Sequence, residues 1–363
     1  MFTMRPPGSP GWAEPEGAVE MDLLKRLCET DGVSGREDAI LDLLTAELTE
    51  AADETYTDPM KNFIAVRHGE GDEERPRVML AGHTDEIGFL VYNIDENGFA
   101  SMAPVGGWNP ASIFGHSVRV HTRKSGILPA VVCHHPALTP EAGKKPMEMD
   151  KLFLDFGLPG EKVKEMVERG DWVCMDTQFS ELGECFLAKA FDDRVGVYII
   201  AEAFRRYENP NIDVYCVGTS QEEVGLRGST VAALSVEPHI GIAADITGSG
   251  DTPGWPASRR ICDLGKGVAI KYQDSSVISS TKLVDFIRSI AEEKKIDHQM
   301  EILMAGGTDT SSMQKFGGGT HATCLSIPTR NGHSPVAVIH RHDVETAVEL
   351  LIEFLNRAHL FEL

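Results

Sequence analysis

Apolar positions recur along the chain in two rhythms. Between residues 21 and 48 they fall at helical spacing, as at Ile40, Leu41, Leu44 and Leu48, which turns one face of a helix towards a core. The interruption Asp31-Gly-Val-Ser-Gly-Arg-Glu splits this stretch in two. Ser34, with Glu37 three residues on, reads as the capping box of the second helix. Short β-branched and apolar runs at 63–66, 78–81 and 87–92 read as strands. From Val195 onward, predicted helices at 195–207, 228–234, 281–295 and 344–357 alternate with predicted strands at 212–218, 240–246 and 323–327. That alternation predicts an α/β sheet flanked by helices.

One stretch breaks the pattern. Residues 105–133 carry Gly-Gly, Asn-Pro, Phe-Gly-His and Lys-Ser-Gly between closely spaced alternating runs, which predicts a small β-rich unit with tight turns. Residues 161–169 follow as a short helix. Residues 1–17, rich in Pro, Gly and Glu, read as a flexible tail. At 363 residues the chain has length for about two domains.

The net charge of −22 argues against a broad grip on nucleic acid or anionic lipid, since phosphate is held by clustered Lys and Arg. The first residues lack an apolar signal region, and no run approaches the ~18 apolar residues of a membrane span. Seven scattered cysteines, odd in number and without a CxxC pair, suit reduced thiols in the cytoplasm. A phosphate-binding GxxxxGK[ST] loop is lacking. Gly248-Ser-Gly250 fails the dinucleotide fingerprint because residue 253 is Pro. HExxH and GxSxG are absent as well.

What remains is five clusters of acids and histidines at strand ends and turns: Leu80-Ala-Gly-His83-Thr-Asp85-Glu86, Phe191-Asp192-Asp193-Arg194, Ser220-Gln-Glu222-Glu223, Ala244-Asp245, and Pro328-Thr-Arg-Asn-Gly-His333. Each has an ordinary structural reading. Asp192 could cap a helix, Asp193 could pair with Arg194, and Glu222-Glu223 could form a charged first helical turn. Four of the five sit where an open α/β sheet binds ligands, past the carboxyl ends of strands. Two histidines with several carboxylates suit a pair of divalent cations that acidify a water. Residues 83 and 85 share one side of an extended segment. Spacing leaves open which of Glu222 and Glu223 is ligand and which is base. The pair His134-His135 reads as surface or inter-subunit structure, His340 and His342 as part of a helix start, and His116, His121, His298 and His321 have no ligand spacing.

These clusters, with Val105-Gly-Gly-Trp108 and Gly306-Gly-Thr-Asp309, resemble in order and content the M42 metallo-aminopeptidases, which include the tetrahedral (TET) and glutamyl aminopeptidases. The resemblance runs from about Met21 to the C-terminus. It implies a zinc-peptidase-like catalytic domain in two segments, 18–88 and 178–363, interrupted by a β-rich dimerisation domain at 89–177. It implies two divalent metal ions per subunit, Zn or Co with Mn also suitable. The implied ligands are His83, Asp192 as the bridge, Glu223, Asp245 and His333. Glu222 is the implied general base and Asp85 the acid that orients His83. The implied substrates are short peptides trimmed from their N-terminus. The implied assembly is a homo-oligomer built from dimers, as large as a dodecamer. Some members of the family are called endoglucanases, so a glycoside hydrolase or a deacylase on the same fold is the alternative reading. Gly332, before His333, stands where bulkier residues are common.

Overall fold

Strand Arg77–His83 sets the architecture. Its alternate residues point to opposite faces, so Val78 and Leu80 join one apolar cluster while Met79 and Ala81 join another. The computed structural model describes residues 21–71, 74–134 and 147–363; the expected tail at 1–17 and His135 lie outside them. Strand Arg77–His83 lies inside a large mixed sheet. Its neighbours Asp213–Thr219 and Ile240–Gly248 run parallel to it, and His321–Arg330 runs parallel to Ile240–Gly248. Antiparallel strands extend both edges: Phe63–Arg67 and Glu54–Thr57 on one side, Ala337–His340, Cys185–Ala188 and Ser180–Leu182 on the other. Val268–Gln273 pairs with His321–Arg330 and carries His298–Ile302 beyond it.

Helices cover both faces, as expected for strands that are apolar on each side. Asp22–Glu29, Asp38–Leu48, Phe191–Arg206, Thr281–Lys294 and Arg341–Arg357 pack on the face of Val78 and Leu80. Arg227–Val236 and Thr310–Gln314 cover the other with Ala232, Ala233, Val236 and Met313. Phe191–Arg206 is the most buried helix of the set, with an apolar surface running from Val195 to Phe204.

The β-rich stretch is a closed six-stranded barrel. Its circuit runs Gly88–Ile94, Ala100–Val105, Leu152–Asp155, Gly126–His134, Ser117–Thr122 and Trp172–Met175, which pairs back with the first strand. Phe89, Val118, Val120, Val132, Leu154 and Val173 fill its interior as a core of its own. The barrel thus leaves the sheet after His83 and Asp85 and returns before Asp192.

One local expectation is corrected. Ser34 does not cap a helix: the helix begins at Asp38, with Glu37 before it. The Ser34 hydroxyl instead donates to Asp85 Oδ2 at 2.5 Å, across the chain. All seven cysteines are free, and among the described residues no helix is long and apolar enough to cross a membrane.

Candidate active site

Register decides what meets at the sheet's edge. Thr219 lies opposite His83, and two residues beyond the pair Ala243–Ala81 stand Asp245 and His83 on adjacent strands. The loop after Thr219 presents Glu222 and Glu223, and the loop after Arg330 presents His333. Asp192 enters from the start of helix Phe191–Arg206, which packs across Arg77–His83 and Ile240–Gly248. The side chains predicted from sequence as metal ligands therefore converge on one place.

They converge as two overlapping triads. Donor atoms of His83, Asp192 and Asp245 lie within 4.8 Å of one another, and so do those of Asp192, Glu223 and His333. Asp192 is common to both: its Oδ1 is 3.0 Å from His83 Nε2 and its Oδ2 is 3.2 Å from His333 Nε2. His333 Nε2 is 3.7 Å from Glu223 Oε2. Glu222 belongs to neither triad, and its Oε2 stands 3.9 Å from His83 Nε2.

Both imidazoles are set for ligation through Nε2. His83 Nδ1 lies 2.9 Å from the Asp85 carbonyl and His333 Nδ1 lies 2.9 Å from the Gly107 carbonyl. A carbonyl only accepts, so each Nδ1 carries a proton and each Nε2 is turned towards the acids. Gly107 comes from the barrel, and a Cβ there would stand 3.2 Å from His333 Nδ1.

Electrostatics mark the cluster as short of positive charge. Burial, then the neighbouring Asp192, pushes Glu223 and Asp245 up to about 8. Burial, with Asp245 and Asp309 adding to it, drives Glu222 well above the carboxylate range. Burial would raise Asp192 too, but hydrogen bonds from His333 and His83 outweigh it and hold Asp192 below that range. Asp192 raises His333 to about 10. Glu223 Oε1 is buried without a hydrogen-bond partner in the protein. An orphaned carboxylate oxygen among crowded acids, beside two preset imidazoles, fits divalent cations.

Asp85 holds more than His83. Its carboxylate accepts the Glu222 N–H at 3.0 Å, the Glu223 N–H at 3.2 Å and the Ser34 hydroxyl, while His83 Nδ1 is 3.5 Å from Oδ1. One side chain thus fixes the backbone of both glutamates. The alternative reading of Glu222-Glu223 as a first helical turn does not hold, because that helix starts at Arg227. Nor do Asp193 and Arg194 pair. Asp193 accepts the N–H groups of His83 and Gly196, at 3.0 and 2.9 Å. Arg194 donates to the carbonyls of Leu27, Thr30 and Gly32. Behind Asp85, Lys189 is buried with Glu86, at 2.6 Å, and Asp31, at 3.0 Å. Asp31 also binds Arg119 and His121 of the barrel, so His121 is part of an ionic junction. Lys189 carried no motif signal, Asp31 was read only as part of a break between helices, and Asp193, although within the Phe191-Asp192-Asp193-Arg194 cluster, was given only a pairing with Arg194. Asp309, buried against Thr219, stood within the Gly306-Gly-Thr-Asp309 stretch.

A mixed sheet that gathers histidines and acids past its parallel strands, with a barrel inserted beside them, defines a hydrolase of the aminopeptidase class. The chain belongs to the M42 glutamyl aminopeptidase family, which it matches over residues 61–350. A lysyl aminopeptidase of Pyrococcus furiosus is 32% identical over 92% of this chain and 95% of its own. The solved aminopeptidase APDkam598 of Desulfurococcus kamchatkensis superposes with a TM-score of 0.89 at 34% identity, covering 93% of this chain and 95% of that one. The TET1 peptidase of Pyrococcus horikoshii, which assembles into a tetrahedron or an octahedral shell, superposes at 0.81 with 31% identity, over 94% and 99%.

Proposed function

We propose that this aminopeptidase cleaves N-terminal residues from short peptides at a dinuclear metal centre, with Glu222 as general base. The observation that carries the reading is the sharing of Asp192 by two triads. His83 and Asp245 would hold one cation, Glu223 and His333 the other, with Asp192 between them. Zn or Co suits these N and O donors best, and Mn suits them too. Such ions, when bound, supply Lewis acidity and lower the pKa of water.

The chain's own groups do the rest. Glu222, left outside both triads, takes the proton of the attacking water on its carboxylate and returns it to the departing amine. Asp85 is a positioning residue: by accepting the Glu222 and Glu223 N–H groups it keeps base and ligand side by side. The surrounding carboxylates favour the substrate's free α-ammonium, which selects for exopeptidase cleavage. A glycosidase needs a pair of carboxylates flanking a sugar, and two Nε2-directed histidines have no part in that chemistry. The barrel is proposed as the dimerisation unit of a cytoplasmic homo-oligomer of the kind TET1 forms.

Glu222→Gln tests the assignment of the base. The variant is expected to retain bound metal while kcat falls by ~10²–10⁴-fold. Wild-type kcat on aminoacyl p-nitroanilides would show that Glu222 is not the base.

A further inference from the structure

A cavity of about 460 Å³ opens beside the acids. His83, Asp192, Glu222, Asp245 and His333 are part of its lining. Its large apolar side chains are Ile246, Trp255, Ile261 and Leu303, set among glycines and the small polar residues Thr247, Ser249, Thr252, Thr308, Thr329 and Asn331. We infer that this cavity receives the side chain of the peptide's first residue and selects large, uncharged, apolar ones of the leucine, methionine or phenylalanine kind. The inference rests on the aminopeptidase reading above and adds the substrate class to it.

Shape comes first. A Cβ on Gly248 would touch Ile261 Cδ1 at 3.5 Å, and one on Gly332 would meet Ile246 Cδ1 at 3.0 Å. Both glycines line the cavity, so the absent side chains leave space against two isoleucines. The small residue at 332 therefore has a physical use, leaving room beside Ile246. Trp255 Nε1 donates to the Arg259 carbonyl at 2.9 Å, which satisfies its polar edge.

Charge comes second. Away from the acid cluster the lining has, among the described residues, a single ionic side chain, Arg330. Its Nε and Nη2 grip Asp251 at 3.0 and 2.5 Å, so it offers no unopposed charge to an acidic side chain. A lysine or arginine side chain would need a carboxylate outside the acid cluster, and among the described residues none lines the cavity there. Of the lining hydroxyls, those of Thr247, Thr308 and Thr329 already donate, to Glu301 at 2.8 Å, Thr310 Oγ1 at 2.9 Å and the Ile327 carbonyl at 2.9 Å, and Ser249, Thr252 and Asn331 add uncharged polar groups only. Lys271, which pairs with Glu301, is buried in the sheet and does not line the cavity. Burying a charged side chain without a partner is costly, whereas each added methylene gains affinity.

The test is kcat/KM of the metal-loaded protein on Leu-, Met-, Phe-, Ala-, Glu- and Lys-p-nitroanilide. Leu is expected to exceed Ala by at least about tenfold, and Glu and Lys by about a hundredfold. Leu303→Asp is expected to lower the Leu:Ala ratio and raise turnover of Lys; Leu303→Ala, a milder change, should lower the ratio alone. Preference for Glu or Lys, or a Leu:Ala ratio near one, overturns the inference and leaves the aminopeptidase reading intact. No hydrolysis of any member of the panel removes both.

Discussion

Asp85 accepts the backbone N–H groups of Glu222 and Glu223 and the hydroxyl of Ser34, and its own carbonyl fixes the tautomer of His83. Replacing one carboxylate oxygen by an amide sets a donor against a donor. Asp85→Asn is therefore expected to lower kcat at least about tenfold, because a displaced base loses efficiency steeply, with a smaller change in KM. Steady-state kinetics checks this; an unaltered kcat would show that the N–H contacts are dispensable. At this scale the sequence was informative about donors and, apart from Asp85, about little of their support. His83, Asp192, Glu222, Glu223, Asp245 and His333 stand out because acids and imidazoles at strand ends are unusual in company. Ser34, Gly107 and Asp193 act through single hydrogen bonds to distant residues, such as Asp193 to the His83 N–H. No local pattern records a contact of that kind, and Ser34 was misread because its spacing from Glu37 also suits a helix cap.

At the scale of elements, the ionic junction between sheet and barrel is the feature with the clearest energetic consequence. Asp31 binds Arg119 at 2.6 Å, His121 at 2.7 Å and Lys189 at 3.0 Å. Burial would raise its pKa, but hydrogen bonds from His121 and Arg119 and the charge of Lys189 overcome that and hold it far below the carboxylate range. A depressed folded-state pKa contributes stability that is complete above the unfolded value of about 3.9 and is lost as pH falls through the folded one. Asp31→Asn is expected to cost about 3 kcal/mol at neutral pH, since it strips a buried anion from several cations. The gap from wild type should narrow as the pH is taken below about 4. Urea unfolding at both pH values reads the effect; a gap independent of pH would assign it to packing rather than charge. The elements themselves were largely legible, because their apolar periods are regular: the predicted strand at 240–246 is seen at Ile240–Gly248, and the predicted helix at 195–207 at Phe191–Arg206, starting four residues earlier and ending one earlier. The junction was not, because Asp31 and Arg119 are far apart in sequence and belong to different units.

For the whole molecule, the acids of the site give a local meaning to part of the −22 charge. The cavity could not be read from the chain, since Ile246 lies near the end of a strand, Trp255 and Ile261 lie in the connection after it, and Leu303 follows strand His298–Ile302, and only the fold brings them together. On the proposed assembly, the particle mass measured by light scattering should be an even multiple of 39.6 kDa; a monomer would exclude a dimer-based homo-oligomer. The central claim is that two divalent ions, sharing Asp192, make this site an aminopeptidase. Its most direct test is titration of chelator-stripped protein with Zn or Co, reading bound metal per chain and hydrolysis of Leu-p-nitroanilide in the same samples. The account predicts no turnover in stripped protein and binding that saturates at two ions per chain, with activity restored along the way. Full activity in metal-free protein, or saturation at a single ion with full activity, would contradict it.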